Sequence, residues 1–236
     1  VGITDINEYK NLFSEGKDKK YRGESSVMYL MYPEIVIPKI NQEFGEETKI
    51  IIMLRNPVER AYSGYQHVKR FNVKEDCIDF KSAWDISEKR YFDYDEMTPA
   101  SRYKELGLYY KQVKSYLEQF KNVHIIIYDD YKKDFQKEMN KVFDFLEIEN
   151  MKVNDGEKHM VGGWQWEDEK MKKLMIKKNP LKSFLKIIFP FKSLQQKIRQ
   201  QIQNRKTVKV KEVSSEDKKM LQDFYREDVQ QLSELL

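Results

Sequence analysis

The sequence predicts an α/β fold in three layers, with a central, mostly parallel sheet flanked by helices and a helical, basic C-terminal part. Three observations carry that expectation. Two short apolar runs, Ile50–Leu54 and Val123–Tyr128, are continuous and rich in β-branched residues, as strands buried on both faces of a parallel sheet are. The segments between them place apolar residues at helical spacing. A helical connection of that kind joins parallel neighbours, so the two strands are expected side by side.

Each element has its own signal. Asp5 to Phe13 reads as a short helix with Ile6, Tyr9, Leu12 and Phe13 on its apolar side. Pro33 to Phe44 is a helix with Ile35, Val36, Ile40 and Phe44 inward, ended by Gly45. After the first strand, Asn56-Pro57 supplies a favoured N-cap and a favoured first helical residue, and Glu59 completes a capping box. Val58, Ala61, Tyr62, Tyr65 and Val68 are the core stripe of that helix. Phe71 to Ile78 is loop, and Phe80 to Tyr91 is a helix on Phe80, Ala83 and Trp84. Ser101 to Phe120 reads as one long amphipathic helix, its aromatics core. Asp129-Asp130 open a helix, complementing its dipole, with Phe135, Met139, Val142, Phe143 and Leu146 inward. Ser215 to Leu236 is a terminal helix with Met220, Leu221, Phe224, Tyr225, Val229, Leu232 and Leu235 inward.

The corner after the first strand is where ligands sit in open α/β sheets. Arg55 ends the strand. Ser63 lies two turns beyond Asn56 on the same helix face, and His67 follows four residues later. A guanidinium fork and a hydroxyl so placed can grip one phosphate. The plainer reading is an ordinary strand–helix corner with an exposed arginine and serine.

The string Arg55-Asn56-Pro57-Val58-Glu59-Arg60-Ala61-Tyr62-Ser63-Gly64-Tyr65-Gln66-His67 resembles the 3′-phosphate motif of sulfotransferases that use 3′-phosphoadenosine 5′-phosphosulfate (PAPS). It is closest to the branch that sulfates glycans, heparan enzymes and bacterial relatives among them. The resemblance implies a P-loop NTPase-like sulfotransferase fold, with Arg55 and Ser63 on the 3′-phosphate. It implies transfer of a sulfuryl group from PAPS to an acceptor hydroxyl on a carbohydrate, leaving adenosine 3′,5′-bisphosphate (PAP), with no metal required. Gly23-Glu24 and the following Tyr29-Leu30 resemble a second segment of the same enzymes, although Ser25 stands where several relatives carry a substrate-touching lysine. Glu24 and His67 are therefore candidate catalytic residues. The plainer readings are a buried structural acceptor for Glu24 and a surface histidine for His67.

Lys152 to Trp166 is rich in glycine and aromatics. In the family a basic, glycine-containing loop in this part of the chain folds over the nucleotide. By that resemblance Lys158 and His159 meet the 3′-phosphate and a tryptophan covers the adenine, though the usual Arg-Lys-Gly is absent. The alternative is a linker packed by Trp164 and Trp166. The expected organisation is a single domain, 1–236, with an α/β core over 1–150 and a covering loop and helical part over 151–236. The sequence has no Gly-x-x-x-x-Gly-Lys-Ser/Thr loop, the kind that holds the 5′-phosphosulfate. The resemblance implies that roughly fifty residues of the usual domain precede this chain.

Composition narrows the alternatives. Charged residues make 35% of the chain and hydrophobic ones 40%, which suits a globular protein rather than a disordered one. A net charge of +4 fits an anionic ligand without singling out nucleic acid. Three scattered histidines and one cysteine show no metal-ligand spacing, so no metal is expected. Cys77, the one cysteine, permits no intrachain disulfide and points to a reducing, cytoplasmic compartment; an N-terminal anchor would point to the Golgi lumen instead. Lysine and arginine dominate from Lys170 to Lys211, as in a helical subdomain with a wet basic face. Two further readings stay open: a nucleotide-binding module without catalysis, and a basic nucleic-acid or membrane-binding protein.

Overall fold

The computed structural model describes residues 5–72, 74–93, 97–154, 162–177, 201–202 and 205–236. Strands β1 (Ile50–Leu54) and β2 (Val123–Ile127) pair in parallel, Ile50 opposite Val123 and Leu54 opposite Ile127. The expected neighbours are therefore neighbours. Alternation along the strands sends Ile50, Ile52 and Leu54 to one face, with Val123 and Ile125 beside them. There they pack on helices α2 (Pro33–Phe44) and α5 (Tyr109–Gln119) around buried Val113, Tyr116 and Phe120.

The opposite face is covered unevenly. On β2, His124 stacks on Phe145 of helix α7 (Phe135–Leu146) at 5.3 Å, and Ile126 is buried. On β1, Ile51 and Met53 are 43% and 46% exposed. The expectation of burial on both faces thus fails for β1 among the described residues, where this parallel sheet has two strands.

Helix α1 (Ile6–Asn11) starts at Asp5, whose side chain accepts from the Glu8 amide. Helix α2 ends at Gly45, where φ is 82° and glycine carries no Cβ penalty. Its inward residue is Ile37, with Val36 and Ile40 alongside; Ile35 and Phe44 are exposed, contrary to the phasing expected above. Phe44 instead lies under Lys10 of α1, whose ammonium is 5.8 Å from its ring. Helix α3 (Pro57–Phe71) buries Val58, Ala61, Tyr65 and Val68, as its stripe requires. Helix α4 (Phe80–Asp93) buries Phe80, Ala83 and Trp84 against it.

The single long helix expected over 101–120 is not formed. Pro99–Ser101 and Glu105–Gly107 are 3₁₀ turns, and α5 begins only at Tyr109. The cause lies far along the chain, in helix α9 (Ser215–Leu235). Its Tyr225 hydroxyl donates to the Tyr103 and Lys104 carbonyls, and a Cβ on Gly107 would meet its ring at 2.7 Å. Its Asp228 carboxylate accepts from the Tyr109 amide at 2.8 Å and the Tyr110 amide at 3.2 Å, capping α5 from outside. On α9 itself Leu221, Tyr225 and Leu232 are buried, whereas Phe224 and Val229 are exposed, a second correction to the phasing. The segment after β2 likewise splits into α6 (Tyr128–Lys133) and α7, because Asp134 caps the second helix through the Lys137 amide.

Beyond the first 150 residues the chain returns to α3. Strand β3 (Trp164–Trp166) pairs antiparallel with β4 (Thr207–Lys209). Gln165 donates to Gln66, Trp166 Nε1 donates to the Arg70 carbonyl at 3.1 Å, and the Tyr62 hydroxyl donates to the Lys211 carbonyl at 2.8 Å. Helix α8 (Glu169–Ile176) follows, and its Lys172 is 2% exposed, donating to the Glu75 carbonyl at 2.8 Å. Glu75, fully buried, pairs with Arg90 and accepts from the Tyr103 hydroxyl. No helix among the described residues is long and apolar enough to cross a membrane.

Candidate functional site

Arg55 leaves the C-terminal end of β1, one residue before the cap of α3. The matching end of β2 brings Tyr128 beside it, so the guanidinium lies 5.3 Å from that ring. Its Nη2 donates to Glu59 Oε2 at 3.0 Å in an ion pair half open to solvent. Among the described residues its Nε is buried without a hydrogen-bond partner. Glu59 was expected to close a capping box by reaching back to Asn56. It turns to Arg55 instead, because a charged partner one turn away is the stronger one.

The cap itself is made. Asn56 Oδ1 accepts from the Val58 amide at 3.0 Å and the Glu59 amide at 3.4 Å, and Arg60 donates to the Asn56 carbonyl. Pro57 has no amide proton. The first-turn amides of α3 are therefore engaged, and an anion at this corner meets the helix dipole and side chains rather than free backbone N–H groups.

Ser63 and His67 stand exposed on α3. His67 packs against Phe71 with ring centroids 5.0 Å apart. That packing, and then the nearby Arg70 charge, lower the His67 pKa, so the ring is neutral at pH 7. By helical periodicity Ser63, His67 and Arg70 follow one another up a single face. Among the described residues no hydrogen bond joins Arg55 to Ser63; by helical periodicity Ser63 lies two turns above Asn56 on its side of α3.

Glu24 is exposed in a segment outside helix and strand, not the buried acceptor of the plainer expectation. Burial and the Glu24 carboxylate together push the Tyr29 pKa up to about 12, and the same pair of causes raises that of Tyr9. Its neighbours are those two tyrosines. Lys158 and His159 lie outside the described residues. The described part of their segment, from Gly162 on, reaches the C-terminal half of α3, where Trp164 covers Arg70 with the guanidinium 4.6 Å from the ring centroid. In the sequence Arg70 reads as the basic end of a helix, and nothing local signals that the distant β3 covers it through Trp164. Among the described residues no group of His, Cys, Asp or Glu is arranged to hold a metal ion.

A parallel strand–helix corner with a guanidinium at the strand end and hydroxyl and imidazole on the adjoining helix belongs to the class of open α/β proteins, which take ligands at the carboxyl ends of their strands. The comparisons narrow that class. The sulfotransferase domain family matches residues 29–233 of the chain, and the chain belongs to that family. Among solved structures it is similar to a sulfotransferase from Alicyclobacillus acidocaldarius, with 23% identity and a TM-score of 0.69. That match covers 99% of this chain and 71% of the other, and it establishes the sulfotransferase fold. Comparison with curated protein sequences gives no match.

Proposed function

We propose that this sulfotransferase-family protein takes PAPS as donor, holds its 3′-phosphate with Arg55 and Ser63, and transfers the sulfuryl group to a carbohydrate hydroxyl. One observation carries the reading. Among the described residues the Arg55 guanidinium, at the strand end, has one counter-ion, Glu59, and that carboxylate is exposed. A phosphate there meets charge-assisted donors without having to break a buried ion pair.

Sulfuryl transfer resembles phosphoryl transfer: acceptor oxygen, sulfur and leaving oxygen line up, and the protein contributes position and positive charge. Arg55 anchors the 3′ end of the donor and so fixes where its 5′ end lies. His67, neutral at pH 7, is able to accept a proton and is assigned to the acceptor side. Glu24 is the second candidate for that role. The carbohydrate acceptor rests on the likeness of the Arg55–His67 string to glycan sulfotransferases. Lys172, at the start of the basic stretch, is buried and bonded to Glu75, so it is not offered to a polyanion such as nucleic acid.

Calorimetry with PAP tests the proposal. A charge-assisted hydrogen bond contributes roughly 1.5–3 kcal/mol and a neutral one about 0.5–1.5. Arg55→Ala is expected to weaken PAP binding more than Ser63→Ala, and adenosine 5′-phosphate is expected to bind wild type and both variants alike. If Arg55→Ala binds PAP as tightly as wild type, the assignment is wrong.

A further inference from the structure

Arg70, near the C-terminal end of α3, is charged yet almost dry. It is 4% exposed, and among the described residues its Nε is buried without a hydrogen-bond partner. Among the described residues its guanidinium makes no ion pair and no hydrogen bond. It faces rings instead, with the Trp164 centroid at 4.6 Å and that of Phe71 at 5.5 Å. A stacked ring returns only part of what a guanidinium loses on leaving water, so a buried arginine ordinarily has a carboxylate or phosphate beside it. Arg90 shows the ordinary case in this same protein: equally buried, it pairs with Glu75 and Asp76.

The surroundings of Arg70 suit an anion that arrives with a ligand. Gly162 is next to Nη2, where even an added Cβ would stand 3.9 Å away, and Gly163 follows with φ at 86°. Among the described residues Gly162, without a side chain, borders the guanidinium on that side. His67 lies one turn back on the same helix face, close enough for the Arg70 charge to lower its pKa. Ser63 is a further turn back, so by the helical rise Arg70 stands about 10 Å along α3 from it.

We infer that Arg70 is a second oxyanion site, which takes a carboxylate, sulfate or phosphate group of a ligand lying along α3, with Trp164 as its flat wall. The site stands on Arg70 itself; that its ligand is an acidic sugar acceptor rests on the function proposed above. The same chemistry has a second possible source in the nucleotide's phosphates, and the two are separated by experiment.

The test is calorimetry in an Arg55→Ala background, where the first phosphate site is disabled. The probes are PAP, a uronic-acid-bearing oligosaccharide and the same oligosaccharide with its carboxyls reduced to alcohols. The acidic oligosaccharide should still bind, and Arg70→Met should weaken it about tenfold to a hundredfold, the range for a charge-assisted bond. Arg70→Lys, which keeps the charge and loses the fork, should weaken it less and serves if the methionine variant does not fold. The reduced oligosaccharide should be indifferent to both changes. If PAP alone loses affinity on changing Arg70, the oxyanion site stands and the nucleotide supplies its ligand. If no probe responds to Arg70, the guanidinium is a packing element and the inference is overturned, whatever Arg55 does. If Arg55→Ala leaves PAP binding intact while Arg70→Met weakens the acidic oligosaccharide, the 3′-phosphate assignment fails and the second site survives.

Discussion

Helices α3 and α5 both begin beside the sheet, and they are capped in opposite ways. Asn56 caps α3 from the adjoining residue, at the surface, and leaves the corner polar with Arg55 and Glu59 at its mouth. Asp228 caps α5 from 119 residues away, through a half-buried contact with a helix that also wedges Tyr225 over Gly107. A local cap fixes a helix start and leaves its outer face free for a ligand. A distant cap ties the end of the chain to its middle, its carboxylate accepting from two amides there. The corner proposed to hold the donor is thus the one capped by a neighbouring residue, and the other is capped only through a contact from far along the chain.

The comparison breaks most readily at Gly107. A methyl there would overlap the Tyr225 ring, which two carbonyls hold in place, so Gly107→Ala should destabilise by about 1–3 kcal/mol as overpacking does. Chemical denaturation of the variant checks it, and a loss below half a kcal/mol would show that Tyr225 moves aside freely. Asp228→Ala removes an acceptor from two amides and should cost about 1–2 kcal/mol, with PAP affinity unchanged in the folded fraction. Asn56→Ala should cost about 1 kcal/mol of stability and weaken PAP binding as well, because the same side chain holds the turn that carries Arg55. Equal effects of the two cap variants on PAP would erase the distinction drawn between the corners.

The smallest effect is one of pH. Glu105, beside the start of α5, faces Glu88 and Arg102. Burial and then the Glu88 carboxyl push its pKa up to about 7, outweighing the pull of Arg102. A carboxyl raised on folding contributes stability that is complete below its ordinary value of 4.5 and is lost as pH rises through 7. Melting between pH 5.5 and 8 should therefore show a fall that Glu105→Gln flattens; an unchanged slope in the variant would remove Glu105 as its source.

The same contrast explains which parts could be read from residues alone. The runs Ile50–Leu54 and Val123–Ile127, the cap at Asn56 and the stripe of α3 follow from nearest-neighbour chemistry: β-branched apolar runs, a side-chain acceptor for the first amides, a repeat near 3.6. Arg55 at the strand end and Ser63 and His67 on one face of α3 are placed by the same local signals. Reading the segment over 101–120 as one helix failed because its spacing is helical throughout, and nothing local says that Tyr225 and Asp228 interrupt it. Nor does periodicity say which of several apolar faces a short helix will bury, as Ile35, Phe44, Phe224 and Val229 show by standing exposed. The arginine at position 70 is the sharpest case. Local chemistry makes it one more cation in the last turns of a helix, free in water. The strand that carries Trp164 across it takes the water away, and only that long-range contact turns an ordinary surface charge into one that wants a partner.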